Sequence, residues 1–312
     1  MRSNLRVFYN ALELLTNNWP TPLVKLESLS KNGYEVWAKL EYYNPFSRSI
    51  KDRTVWYMLK KAMEHTELRD VLYEATSGNV GISLACLANI FKFKLKVFIP
   101  KHIPRTTELL LRILNTEIVK TNYETINWNM IDMVAEKARK ERALNLNQFT
   151  NDANYEVHLH YTAKEIDEQL TSVNRKPDVI IAGIGTSGHI SALAMYFKSR
   201  YGNRVKIIGV QPALDNVIPG LKRIETRPKW LAKVKMDEVV DVTLKDACME
   251  CVWIARNEGI LVGLSSGATI NAFKKVKTTY GQGVYVLIFP DDIYKYVDII
   301  EKTCLNSPQF SL

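Results

Sequence analysis

Short apolar runs recur along this chain, and stretches with helical spacing lie between them. "YEVWAKLEYY", "VLYEA", "KLKVFIP", "TEIVKT", "DVIIAGI", "VKIIGVQP", "EVVDVT" and "VYVLIFP" read as strands. "NVGISLACLANIF", "TTELLLRIL", "TINWNMIDMVAEKARKERAL" and "SGHISALAMYFKSRY" read as helices, the last with Ile190, Leu193, Ala194 and Phe197 on one face. Strands this apolar have no face to give to water. They imply mostly parallel sheets with helices on both sides, an α/β fold. The 312 residues leave room for about two such domains.

The formal net charge of +9 favours anionic ligands, but Lys and Arg are scattered among acids. No basic arm or tail stands out, which argues against nucleic acid. No run approaches membrane-spanning length, and "MRSNLRVFYNALELL" lacks the apolar core of a signal peptide. A cytoplasmic protein is the expectation. Of the four cysteines, Cys248 and Cys251 form a CxxC within the helical-looking "LKDACMECVWIARNEG". With no second pair, a zinc site is not expected. Two small side chains on one helix face is the favoured reading, and a redox pair stays open.

Ligands of parallel α/β sheets gather at the carboxyl ends of strands, where loops feed helix N-termini. Three polar turns fall there. "EATSGNVG" offers Thr76, Ser77, Gly78 and Asn79, a carboxylate receptor or a plain helix cap. "GIGTSGHIS" holds a G-x-G-x-x-G, which suggests a dinucleotide. That reading needs an acid at the end of the next strand, where Gln211 stands. What survives is a cradle for one phosphate: the amides of Gly185, Thr186, Ser187, Gly188 and His189, with two hydroxyls. "EGILVGLSSGATINAF" has a strand-like "ILVGL" leading to Ser265, Ser266 and Gly267, and alone it is most simply a capped helix. A lysine, Lys51, sits at the joint of the turn and helix in "NPFSRSIKDRTVWYMLKKA". Phosphate cradle, carboxylate receptor, ring-facing serine and amine together describe pyridoxal phosphate joined to a lysine, with an amino acid beside it.

With these motifs in order along the chain, the sequence closely resembles the pyridoxal-phosphate-dependent cysteine synthase and cystathionine β-synthase family. That family has the tryptophan synthase β-like fold, fold type II. The resemblance implies two domains, each a mostly parallel twisted sheet flanked by helices. Residues 1–42 and 153–312 would form the larger, cofactor-binding one, and residues 43–152 a smaller mobile one. It gives Lys51 the Schiff-base role and that of general base. It assigns Asn79 to the ring hydroxyl, Gly185, Thr186, Ser187, Gly188 and His189 to the phosphate, and Ser265 to the pyridine nitrogen. Thr76, Ser77, Gly78 and Gln148, the last from "NQFTNDAN", would hold the substrate carboxylate. A homodimer is expected on the same ground.

Three positions depart from the family pattern. His189 stands where threonine is usual, Val80 where loop threonines are common, and Asp292 in "FPDDIYKY" where serine or threonine is usual. The loop "IPGLKRIETRPKW" looks more like the branch that uses O-phospho-L-serine than the O-acetyl-L-serine branch. Lys222 and Arg223 are its distinctive cations, and either suits a phosphate. One fixed cation at about 4 Å offers roughly 4 kcal/mol at a surface-like dielectric, before desolvation. The expected reaction is replacement of the phosphate of O-phospho-L-serine by sulfide, giving L-cysteine. The alternatives are O-acetylserine sulfhydrylase or cystathionine β-synthase activity, and, in another class, a non-catalytic protein that keeps the fold for binding.

Overall fold

A computed structural model describes residues 6–65 and 70–305. The chain termini assigned above to the larger domain, 1–5 and 306–312, lie outside the described residues.

After a short helix α1 (Ala11–Thr16), the edge strand β1 (Leu23–Lys25) turns back antiparallel onto β2 (Tyr34–Leu40). The chain then enters a second sheet through α2 (Lys51–His65), β3 (Val71–Ala75), α3 (Asn79–Phe91) and β4 (Lys94–Ile99). That sheet is completed by α4 (Arg105–Ile113), β5 (Glu117–Lys120), α5 (Trp128–Lys140) and β6 (Leu144–Asn145). Helices α6 (Ala153–Val157) and α7 (Ala163–Ser172) follow, joined by a wider helical turn at His158–Thr162. They lead back to the first sheet: β7 (Val179–Gly183), α8 (Gly188–Tyr201), β8 (Lys206–Pro212), β9 (Glu238–Val242), α9 (Leu244–Glu258), α10 (Leu264–Tyr280), β10 (Gly283–Phe289) and α11 (Val297–Ile300).

The six-stranded sheet has the order β1-β2-β10-β7-β8-β9, parallel except for β1. The four-stranded sheet, β5-β4-β3-β6, is parallel throughout. Alternation along each strand sorts its side chains to two faces. Val179 and Ile181 pack with α9 and α10 on one side, while Ile180 and Ala182 pack with α7 and α8 on the other. In the smaller sheet Leu72 and Val97 face α2, α3 and α4, and Tyr73 and Phe98 face α5. Both sheets are thus covered on two sides, as the apolar strands predict.

Three elements end differently from their sequence pattern. The strand read through "YEVWAKLEYY" stops at Leu40, because Glu41 bends away to meet Arg53. Helix α5 is shorter than its periodic segment: the Asn127 side chain caps it by accepting from the N–H of Met130 at 3.0 Å. "ILVGL" is not a sheet strand. Only Val262 forms a bridge there, to Asp292, and α10 already begins at Leu264. The run is apolar because Val262 and Leu264 enter the core on the α9–α10 side, not because it joins a ladder.

Candidate active site

The carboxyl ends of β2, β3, β7 and β10 each run into a segment that the sequence marks as chemical. Lys51 is the first residue of α2, and its N–H donates to Ser49 Oγ at 3.1 Å. The preceding turn is held from both sides. Asp52 accepts from the N–H groups of Phe46 (2.8 Å) and Ser47 (3.0 Å), and Ile50 N–H donates to the carbonyl of Pro290 at 2.8 Å.

Arg53, one turn into α2, is fully buried. Its guanidinium donates to Glu41 at 2.7 Å and through two nitrogens to Glu165 at 2.7 Å each, with its centre 4.6 Å from the ring of Trp19. Lys39, also buried, completes the cluster on Glu165 (2.9 Å), Thr21 O (2.7 Å) and Gln169 Oε1 (2.9 Å). Two cations balance two carboxylates, which is the condition for keeping such charges out of water. The cluster clamps α2 two residues past Lys51. Burial pulls the Lys51 amine down to about 8, opposed by the charges of Asp291 and Glu41.

Asn79 opens α3, and its amide donates to Asp291 Oδ2 at 2.8 Å; Tyr296 donates to the same oxygen. Burial raises the Asp291 carboxyl above the usual range. Gly263 is required beside it, because a Cβ there would stand 2.0 Å from Asp291 Oδ1. In the β3–α3 turn, Thr76 Oγ1 accepts from the N–H groups of Gly78 (3.2 Å) and Gly81 (3.1 Å), and Ser77 is exposed. Thr76 therefore caps the helix with its lone pairs and keeps its own proton to donate. Gln148 is brought alongside by Glu74. That buried carboxylate accepts from the N–H groups of Asn147 (2.9 Å) and Gln148 (3.1 Å), while Gln148 Nε2 donates to Ala75 O at 3.0 Å. Burial pushes Glu74 up to about 7, although these two backbone donors act to lower it.

The β7–α8 turn passes through Ser187 at φ 73°. Thr186 Oγ1 accepts from Asn154 Nδ2 at 2.9 Å, and Ser187 Oγ accepts from Trp230 N–H at 3.2 Å. Side chains at Gly185 and Gly188 would meet Gly220 O at 2.6 Å and Asn154 Oδ1 at 2.8 Å, so the loop is bare backbone by necessity. His189 lies in the first turn of α8, only 7% exposed, with its pKa drawn down to about 3 by burial and by the charge of Lys51. It is a neutral imidazole. Ser265 is buried in the first turn of α10.

Among the described residues, Asn79 Oδ1, Asp291 Oδ1 and His189 Nε2 are buried polar atoms without a hydrogen-bond partner. Such atoms are costly unless something satisfies them. A bare-backbone cradle at a helix N-terminus beside them suits a phosphate-bearing, hydrogen-bonding ring. The family model described as "Pyridoxal-phosphate dependent enzyme" matches residues 14–291. The chain belongs to the pyridoxal-phosphate dependent enzymes. It is 32% identical over 282 residues to cysteine synthase B of Escherichia coli, covering 89% of this chain and 91% of that one. It is 30% identical over 321 residues to cystathionine beta-synthase of Saccharomyces cerevisiae, covering 93% of this chain and 62% of that one. A solved hydrogen sulfide-producing enzyme of Fusobacterium nucleatum superposes with a TM-score of 0.81 at 30% identity, covering 92% of this chain and all 100% of that one.

The residues of this pyridoxal-phosphate dependent enzyme fit its cofactor, pyridoxal 5'-phosphate. Bare backbone at the Gly185–His189 turn, the partnerless Asn79 Oδ1 and the buried Lys51 amine are the features that fit it. The three departures also find their places. Val80 packs into the apolar core between α2 and α3. His189 keeps a free ring nitrogen where a hydroxyl is usual. Asp292 pairs with Arg48 and with Lys295 (3.4 Å), closing the loop after β10 onto the turn before Lys51.

Lys222 and Arg223, neighbours in sequence, go to different places. Lys222 Nζ donates to Ile126 O at 2.8 Å and lies 4.6 Å from the Phe149 ring, next to Gln148; burial lowers its pKa to about 8. Arg223 turns outward to Asp241 (3.0 Å), Glu225 (2.9 Å) and Pro212 O (2.6 Å). Cys248 and Cys251 are both buried on α9, facing Ile300 O and Gly263 O, and burial raises both thiols. Cys86, Cys248 and Cys251 are free thiols.

Proposed function

We propose that the chain replaces the β-substituent of an O-activated L-serine with sulfide, releasing L-cysteine as its cysteine synthase relatives suggest, with O-acetyl-L-serine as the donor. The observation that carries this reading is the pairing of Lys51, an amine brought near neutrality, with the Thr76–Asn79 turn and Gln148. One group moves a proton, and the others hold a carboxylate.

Bound here, pyridoxal 5'-phosphate supplies an electron sink for the substrate α-carbon. Lys51 Nζ takes the α-proton and later returns one to the same carbon. With a pKa near 8, about a tenth of the amine is neutral at pH 7, so it serves as base and then as acid. The free proton of Thr76, the second N–H of Gln148 and the Ser77 hydroxyl bind the carboxylate. All three follow strands of the smaller sheet. Gripping substrate would draw that sheet toward the phosphate loop and exclude water, which protects the reactive α,β-carbons.

A second reading is favoured by Lys222. Its amine, held beside Phe149 and still mostly charged at pH 7 with a pKa of about 8, suits the phosphate of O-phospho-L-serine, whose charge of about −1.5 to −2 would hold the lysine in that charged form. Steady-state kcat/KM with O-acetyl-L-serine, O-phospho-L-serine and L-serine, each with sulfide, and with L-serine and homocysteine, ranks these reactions. Both activated donors are expected to exceed L-serine by at least about tenfold. If L-serine with homocysteine is fastest, the cysteine-synthesis reading is lost to cystathionine formation.

A further inference from the structure

Asn154, at the start of α6, is 1% exposed and touches three functional segments at once. Its Nδ2 donates to the main-chain oxygen of Gln148 at 2.7 Å and to Thr186 Oγ1 at 2.9 Å. Its Oδ1 accepts from Thr54 Oγ1 at 3.1 Å, on α2 one turn from Lys51. The amide cannot be flipped: a carbonyl only accepts, so the nitrogen must face Gln148. Every other proton along the chain of contacts then follows. Thr54 spends its one proton on Asn154. Its oxygen must therefore accept from His158 Nε2 (3.1 Å), which leaves His158 Nδ1 to accept from Thr162 (2.9 Å). This requires a neutral imidazole, and burial holds the His158 pKa well below its ordinary value.

At the other end, Thr186 Oγ1 receives Asn154 Nδ2 and, at 3.4 Å, the N–H of Gly188. Both of its acceptor positions are filled. The single hydroxyl proton has nowhere to go except outward. Thr186 lies in the β7–α8 turn and is only part-buried, which leaves that proton free to be donated there. The absence of a side chain at Gly188 makes room for the Asn154 amide, 2.8 Å from where a Cβ would stand.

We propose that Asn154 is a positioning residue: it makes the Thr186 hydroxyl an obligatory donor toward the cofactor phosphate, and it ties Gln148 to the same loop. The inference rests on the phosphate lying in the Gly185–His189 cradle. It adds a residue that touches neither cofactor nor substrate.

The test compares dissociation constants of the apoprotein for pyridoxal 5'-phosphate and for pyridoxal, which lacks the phosphate, by absorbance titration. The variants are Asn154→Ala, Thr186→Val and the double variant. Asn154→Ala is expected to weaken pyridoxal 5'-phosphate about tenfold, the cost of one hydrogen bond to a charged acceptor. It should leave pyridoxal within about twofold. The double variant should be no worse than Thr186→Val alone, since both remove the same donated bond. Equal weakening of both ligands, or additive losses in the double variant, would reduce Asn154 to a structural support and overturn the proposal. Should Asn154→Ala fail to fold, Thr54→Val loosens the same amide without touching the loop. It should weaken only the phosphorylated ligand, with Thr54→Ser restoring it, and an unchanged affinity in Thr54→Val likewise overturns the proposal. If the unaltered protein binds both ligands equally, the phosphate cradle itself is misplaced. That failure is separate from the loss of Asn154's role.

Discussion

The amide of Asn79 and the carboxylate of Asp291, 212 positions apart in sequence, meet at 2.8 Å at the mouth of the larger sheet. Asp291 is also the acid whose charge acts most strongly on Lys51, holding its pKa up against burial. Replacing it with a neutral residue must therefore lower the Lys51 pKa. In Asp291→Asn the acid limb of the kcat profile, which reports Lys51 in the substrate-bound enzyme, is expected to move to lower pH, with turnover at the optimum reduced by about three- to tenfold. An acid limb that stays in place, or moves to higher pH, means that Asp291 does not act on the amine.

Glu74 carries no reacting group, yet it aligns the two segments that face the substrate carboxylate. Its pKa of about 7 in the folded protein exceeds the ordinary 4.5. Between those values the folded state binds the extra proton, so stability falls as pH rises from 4.5 toward 7 and is level above it. Glu74→Gln should flatten that slope in urea-unfolding measurements made across this range. Its amide can still accept from one N–H but crowds a donor against the other. KM for the amino-acid substrate is expected to rise about tenfold with a smaller change in kcat. A slope equal to that of the unaltered protein would show that another acid causes it.

Lys51 has the opposite sign. Its folded pKa of about 8 lies below the ordinary 10.5, so the unfolded chain binds the extra proton between these values. Apoprotein stability should rise with pH from about 8 to 10.5, and the buried charge costs stability below 8. Lys51→Met removes that cost and is expected to be more stable than the unaltered apoprotein at pH 7, by on the order of 2 kcal/mol. The same variant should lose at least about 1,000-fold in turnover and show none of the visible absorbance of the lysine-bound cofactor. Wild-type-like turnover would end the assignment of Lys51.

The turns at Thr76 and Gly185 are legible in sequence because strand, turn and helix are contiguous there, whereas Ser265 shows in sequence only as the start of a helix. The clamp on α2 is not legible. Arg53 finds Glu165 from 112 positions away and Glu41 from 12, and nothing local distinguishes it from a solvated arginine. Asp291 is hidden for the same reason. "ILVGL" misleads because burial and strand pairing leave the same apolar signature. Val262 is buried without joining a sheet. The sequence also could not divide Lys222 from Arg223, since adjacent cations differ only in what other elements bring to them.

That division gives the sharpest test of donor choice. Arg223 is held by two carboxylates and a carbonyl, whereas the Lys222 amine has one carbonyl and an aromatic face. A phosphate near Lys222 would gain a charge-assisted bond, and an acetyl group would gain little. Lys222→Ala is expected to reduce kcat/KM for O-phospho-L-serine about 10- to 100-fold and for O-acetyl-L-serine less than about threefold. Arg223→Ala should change both by less than about threefold, because its guanidinium is already spent on Asp241, Glu225 and Pro212 O. Equal losses on both donors in Lys222→Ala would make this lysine a prop between the sheets, bonded to Ile126, and leave O-acetyl-L-serine as the donor.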